Sequence, residues 1–262
     1  MWHVIVECVI VAFGAGMVYG LFGGGSGLIM MPGYYYLMSH FVLVSSHEMQ
    51  MAIGTTALTS GILGSVAAYH QYKSRHINFA LVRKMSVGIL VGMVLALILL
   101  NIVPSHMLKQ VFGGVVILVA FWLLSYSMDR DLNTWSLDGI WNHVRSMIIG
   151  LLWFMLGVAV FNVPYLHKCK IQLREAVGTA TFISAFFSFI AGILLMINGY
   201  FVVGVSRTHI GYVNILLCAV SIIPSSVASY IGAKISTSVP QHKMRIIYSM
   251  LIFIVGILML FA

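Results

Sequence analysis

Gly20-Leu21-Phe22-Gly23-Gly24-Gly25-Ser26-Gly27-Leu28-Ile29-Met30-Met31-Pro32 joins two apolar runs, residues 4 to 22 and 28 to 45, neither of which contains a Lys or Arg. Each Gly in a helix interior costs roughly 1 kcal/mol relative to Ala, so the chain is expected to break its helix here. A break inside an apolar stretch is informative, because backbone left unpaired at membrane depth is tolerated only where protein or a polar cavity satisfies it. The N–H groups freed at the start of the following half-helix, together with its dipole, attract anions. Glycines that only let two helices pack closely are the simpler alternative. Five of the six residues from Gly23 to Leu28 lack any side chain beyond a hydroxyl, which is more than close packing needs. The stretch is no phosphate loop, since no Gly-Lys-Ser/Thr follows, and no dinucleotide fingerprint, since no strand precedes it.

The rest of the chain supports a membrane setting. Of 262 residues 61% are hydrophobic and 8% charged, about a third of the charged share of an ordinary soluble domain. Whole windows such as Val87 to Leu100 hold no charge, so a soluble globule is excluded. At roughly 20 residues per crossing the length accommodates about eight to ten apolar segments and no sizeable soluble domain. Those segments fall near residues 4–22, 28–45, 50–70, 81–102, 107–127, 145–163, 175–198, 209–233 and 244–262. The fourteen Lys and Arg lie almost entirely in the polar gaps, which suits lipid headgroups and topology control and argues against nucleic acid as a partner. Cys8, Cys169 and Cys218 show no paired spacing and read as small apolar residues. Met1 to Ile10 lacks the basic start and cleavage site of a signal peptide, so the first helix is expected to stay.

The chain repeats itself. Val103-Pro104-Ser105-His106-Met107-Leu108-Lys109 matches Val239-Pro240-Gln241-His242-Lys243-Met244-Arg245 at an offset of 136, each opening an apolar helix with Pro where no N–H is needed. Ala52-Ile53-Gly54-Thr55-Thr56-Ala57 echoes Ala176-Val177-Gly178-Thr179-Ala180-Thr181, and Gly25 to Pro32 echoes Gly157 to Pro164. The expected organisation is a first transmembrane repeat over residues 1–127, a polar interfacial linker over 128–144 and a second repeat over 145–262. Internal repeats in a polytopic chain point to a transporter with its site where the halves meet. Residues 71–84 hold Lys73, Arg75, Arg83 and Lys84 against Arg207 alone in the matching loop, and the bias reverses around Lys109 and its counterparts Lys234, Lys243 and Arg245. Under the positive-inside rule this reversal predicts inverted halves. A count over eight plain crossings still splits the fourteen cations seven to seven and leaves the side of the termini undecided. The fold class is therefore an all-α, polytopic integral membrane protein of two homologous, inverted halves with at least one broken helix.

Candidate substrate-binding residues follow from the breaks and the hydroxyls. The first group is Gly23, Gly24, Gly25, Ser26, Gly27 and Pro32. The second is Gly54, Thr55 and Thr56 with Gly178 and Thr179, where two helix starts facing each other would suit an oxyanion; Thr bonding back to the carbonyl four residues earlier is an equally good account. Thr59, Ser60 and Ser65, with Ser184 and Ser188 in the second half, give that helix pair a small, polar face. Asn162 and Pro164 complete the set, Asn162 offering an amide where backbone donors are fewer; a helix–helix hydrogen bond is the alternative. Every Asp and Glu except Glu7 sits in a polar gap or at a segment edge, so no buried carboxylate pair serves acid–base hydrolysis. The histidines lack metal spacing. No catalytic residue, metal or cofactor is expected, and the chain is not read as an enzyme.

In these residues the chain resembles the TauE/SafE sulfite-exporter family of bacterial and archaeal membrane permeases. The resemblance rests on Gly23 to Pro32, on Ala-Ile/Val-Gly-Thr in each half, and on Tyr69-His70-Gln71-Tyr72-Lys73 leading through His76-Ile77-Asn78-Phe79 into the next helix. Arg174-Glu175-Ala176-Val177-Gly178-Thr179 and Ser229-Tyr230-Ile231-Gly232-Ala233-Lys234 carry it through the second half. It implies a multi-pass protein of a bacterial or archaeal cell membrane that moves sulfite, sulfonates or related sulfur-containing organic acids. A non-transporting scaffold or accessory subunit with the same fold is the alternative. The second half departs from the family pattern: Trp153 to Pro164 keeps only Gly157 of the usual glycine cluster, so the second broken helix is expected to be altered or lost.

Overall fold

The computed structural model describes residues 2–22, 24–41, 47–125, 139–156, 161–206, 208–236 and 241–261. Helices α1 (Trp2–Phe22), α2 (Gly27–Phe41), α3 (Glu48–Lys73), α4 (Phe79–Ile102) and α5 (Ser105–Ser125) are followed by α6 (Ile140–Leu156), α7 (Asn162–Lys168), α8 (Leu173–Val202), α9 (Ile215–Ser236) and α10 (Gln241–Phe261). A short hairpin, β1 (His209–Ile210) and β2 (Val213–Asn214), precedes α9. The protein is an all-helical polytopic membrane protein. Among the described residues α1, α3, α4, α5, α8 and α9 are long and apolar enough to cross a membrane. Helix α4 shows why no soluble setting fits: it buries Gly88, Ile89, Gly92, Met93 and Ala96 while Val87, Val91, Val94 and Ile98 are exposed. Apolar residues all round a helix need lipid on one side and protein on the other.

Small residues set which helices touch and in which direction they run. Gly16 lies against Ser225 and Gly232 against Met17, so α1 and α9 are parallel neighbours. Gly88 lies against Ser146 and Gly92 against Leu151, so α4 and α6 are parallel too. Helices α3 and α8 are antiparallel, with Gly61 against Phe189 and Gly64 against Ala185. Helices α5 and α10 are antiparallel as well, with Gly113 against Leu260 and Phe121 packed edge-on to Phe253. Elements five apart in order correspond (α1 with α6, through α5 with α10), and this correspondence exchanges the α1/α9 pair with α6/α4. It maps α3/α8 and α5/α10 onto themselves. Equivalent helices run in opposite directions, which is the inversion that the loop charges predict.

Half-helices supply the odd crossing. Ser26, in the turn before α2, hydrogen bonds Ser60 at the midpoint of α3 with 3.0 Å between oxygens. From there α2 runs back to the end at which α3 begins. Helix α7 repeats this on α8, starting where the Asn162 carboxamide donates to Ser184 at 3.2 Å. With these directions, every Lys and Arg among the described residues except Lys109 belongs to the end of the molecule where α3 finishes. The even split expected from eight plain crossings is thereby corrected, because that count took no half-helix as a turn of the chain.

Two further expectations change. The apolar run expected from residue 209 is a hairpin up to Asn214, because Gly211 turns the chain at φ +56° and Asn214 caps α9 by accepting from the Leu217 N–H at 3.0 Å. Helix α6 begins at Ile140, inside the stretch expected as linker. Most of that linker, Gly23 and Gly157 lie outside the described residues.

Candidate functional site

The Gly-Thr motifs do the same thing in both halves. The Thr55 hydroxyl donates to the Met51 carbonyl at 2.8 Å and accepts the Asn214 backbone N–H at 2.9 Å. The Thr179 hydroxyl accepts the Asn78 backbone N–H at 3.0 Å. A Cβ at Gly54 would collide with the Tyr212 carbonyl, and one at Gly178 with that of His76. Each motif therefore receives the chain segment that enters α9 or α4: Gly admits its backbone, Thr holds its amide, and the Asn caps the helix. Asn78 accepts from the Ala80 and Leu81 N–H groups at 3.0 and 3.3 Å, and its carboxamide donates to Glu175 at 2.6 Å. Thr55 and Thr179 thus brace the antiparallel α3/α8 pair at its two ends, and the back-bonding account holds for Thr55.

Between the braces lies a chamber lined by Ile53, Thr56, Ala57 and Ser60 of α3, Trp153 and Phe154 of α6, and Ser188 and Ala191 of α8. None of these carries a charge. The Thr56 hydroxyl is buried and has no hydrogen-bond partner among the described residues. Leaving such a group unpaired costs about 1–3 kcal/mol, so it marks a place where something else is bound or where strain is kept. The carboxamide oxygen of Asn162, fully buried at the start of α7, also has no partner among the described residues. Ser60 links the chamber to the glycine-rich turn: Gly24, Gly25, Ser26 and Gly27 are all buried beside it, and Gly25 sits at φ +84°, where a side chain is strained. Pro32 is the sixth residue of α2 and Pro164 the third of α7, each within its half-helix.

The structure therefore gathers Ser26, Gly27 and Thr56 near one chamber and sends Gly54, Thr55, Gly178 and Thr179 to the braces. Asn162 stands at the matching half-helix start on α8. The sequence alone gives Ser60, Ser184 and Ser188 only as a general polar face and does not mark Trp153 and Phe154 as chamber wall. The signal available was the offset: Ser60 stands to Ser184 as Thr55 stands to Thr179. Among the described residues no group of three His, Cys, Asp or Glu is placed to hold a metal ion. Outside the spans, burial raises the Cys169 thiol above its ordinary pKa, with Arg145 opposing, so this cysteine is a poor nucleophile.

A family profile described as Sulfite exporter TauE/SafE matches residues 8–259. A probable membrane transporter protein of Haemophilus influenzae is 24% identical over 98% of this chain and 98% of its own length. A probable membrane transporter protein of Methanocaldococcus jannaschii is 24% identical over 96% of this chain and 94% of its own. One of Bacillus subtilis is 22% identical over 96% and 98%. No solved structure matches at a comparable level.

Proposed function

Because the chain belongs to the TauE/SafE sulfite exporter family of membrane transporters, we propose that it is a permease for small anions, with sulfite, sulfonates or related sulfur-containing acids as the substrate class. It is a transporter and not an enzyme on this reading. The substrate sits in the chamber between α3, α6 and α8, against Thr56, Ser60 and Ser188, with the start of α2 on one side and Asn162 at the start of α7 on the other. The single observation that carries the reading is the buried Thr56 hydroxyl, without a partner among the described residues, in a chamber without charge. Hydroxyl and amide donors with helix dipoles hold an anion without a fixed cation, which keeps binding weak enough for release. Trp153 and Phe154 exclude water, which strengthens each of those hydrogen bonds.

The test is flux of sulfite, taurine and sulfoacetate into liposomes holding the purified protein, with thermal stabilisation by the same anions as a second readout. Thr56→Val and Ser60→Ala are expected to lower flux at least tenfold while the protein still inserts and purifies. Unchanged flux in both variants overturns the chamber assignment. A wild-type protein that moves none of these anions favours another substrate or the non-transporting scaffold.

A further inference from the structure

We infer that the end of the molecule where α3 finishes faces the cytoplasm, so that both chain termini and the β1–β2 hairpin lie on the outer side of the membrane. The helix directions and the cation positions suffice for this, whatever the substrate. Helices α3, α5, α7 and α9 end at one face, and α4, α6, α8 and α10 start there. Lys73, Arg75, Arg83 and Lys84 surround the α3–α4 turn; Lys168, Lys170 and Arg174 surround the α7–α8 turn; Lys234, Lys243 and Arg245 flank the α9–α10 connection. Arg145, in the second turn of α6, belongs to the same end. Among the described residues the opposite end has only Lys109, near the start of α5. All of these connections are short, the condition under which Lys and Arg govern orientation, while acidic residues contribute little. The anionic phosphates of the inner leaflet are the partner that such a face fits. Lys73, Arg75, Arg83, Lys84, Lys170, Arg174 and Lys234 are exposed and available to them.

In this orientation helix α1 rises from outside and finishes at the cytoplasmic end before the Gly24–Ser26 turn, while α6, the helix before α7, finishes at the outer end. If the anion reading holds, the basic mouth concentrates substrate on the cytoplasmic side and the nearly uncharged outer end releases it, the asymmetry an exporter needs. That consequence rests on the proposed function; the orientation does not.

The experiment is a pair of fusions to the intact chain in a bacterial host, alkaline phosphatase or green fluorescent protein after Ala262, together with single cysteines. Phosphatase activity and dark fluorescent protein are expected, since each reporter works on only one side. In a background with Cys8, Cys169 and Cys218 changed to Ala, Ser206→Cys is expected to react with an impermeant maleimide on intact cells and Ser74→Cys only after lysis. A fluorescent C-terminal fusion without phosphatase activity overturns the inference. So does equal activity of both reporters, which would mean dual insertion. Should the cysteine-free chain fail to insert, the fusions to the unaltered chain decide alone.

Discussion

Thr55 and Thr56 are neighbours on α3 in opposite circumstances: one hydroxyl is bonded on both sides, the other faces a chamber with no partner among the described residues. Thr55→Val leaves the Asn214 N–H unpaired in the interior and is expected to cost about 1–3 kcal/mol, lowering the melting midpoint of the detergent-purified protein. Thr56→Val removes a group that is already unsatisfied, so its midpoint should stay within about 0.5 kcal/mol of the parent while transport falls. A larger loss for Thr56→Val than for Thr55→Val in thermal unfolding would refute the assignment of roles. Gly25→Ala forces a side chain into the left-handed region and should destabilise by about 1–2 kcal/mol. Equal midpoints for this variant and the parent would count against the turn as drawn. The residues of both groups were legible in the sequence, but their division was not. Gly54-Thr55-Thr56 reads as one hydroxyl cluster until the segment that lands on Gly54 is known.

At the scale of elements, the two half-helices depend on the long helices beside them. An isolated seven-residue helix such as α7 is far too short to hold in water or lipid by itself. It persists because its first residue is anchored to Ser184 and its Tyr165 donates to Asn142 at 2.6 Å. A half-helix thus forms in the second half although its sequence keeps only Gly157 of a glycine cluster, and the Asn162 carboxamide supplies its anchor. Asn78 ties three elements, capping α4, meeting Thr179 and donating to Glu175. Asn78→Ala should cost about 1–2 kcal/mol through the lost cap. Asn78→Asp keeps the cap acceptor but sets two carboxylates against each other. Asn78→Asp is therefore expected to lower the melting midpoint of the detergent-purified protein at least as far as Asn78→Ala although it keeps the cap, and a midpoint equal to the parent's would rule out the Asn78–Glu175 contact.

For the whole molecule, the tight pairs α1/α9 and α4/α6 each take one helix from each half, so the halves interlock and neither encloses a core alone. Residues 1–130 expressed alone should be degraded or aggregate, and the two halves co-expressed as separate chains should co-purify. A stable first half recovered alone from the membrane would contradict the pairing. Much of this was open to the sequence by itself: composition and apolar run length dictate a helical membrane chain, because 8% charge cannot cover a soluble surface. The repeats at Val103 and Val239 point to two halves, and the glycine run dictates the break between α1 and α2. Only the tertiary structure decided which Thr braces and which faces the chamber, and which end carries the cations. Hydrophobicity is non-directional and specifies that a segment is buried in lipid, not which helix it meets or which way it runs. Those choices are made by glycine contacts and single hydrogen bonds between residues more than a hundred positions apart, such as Asn78 with Thr179.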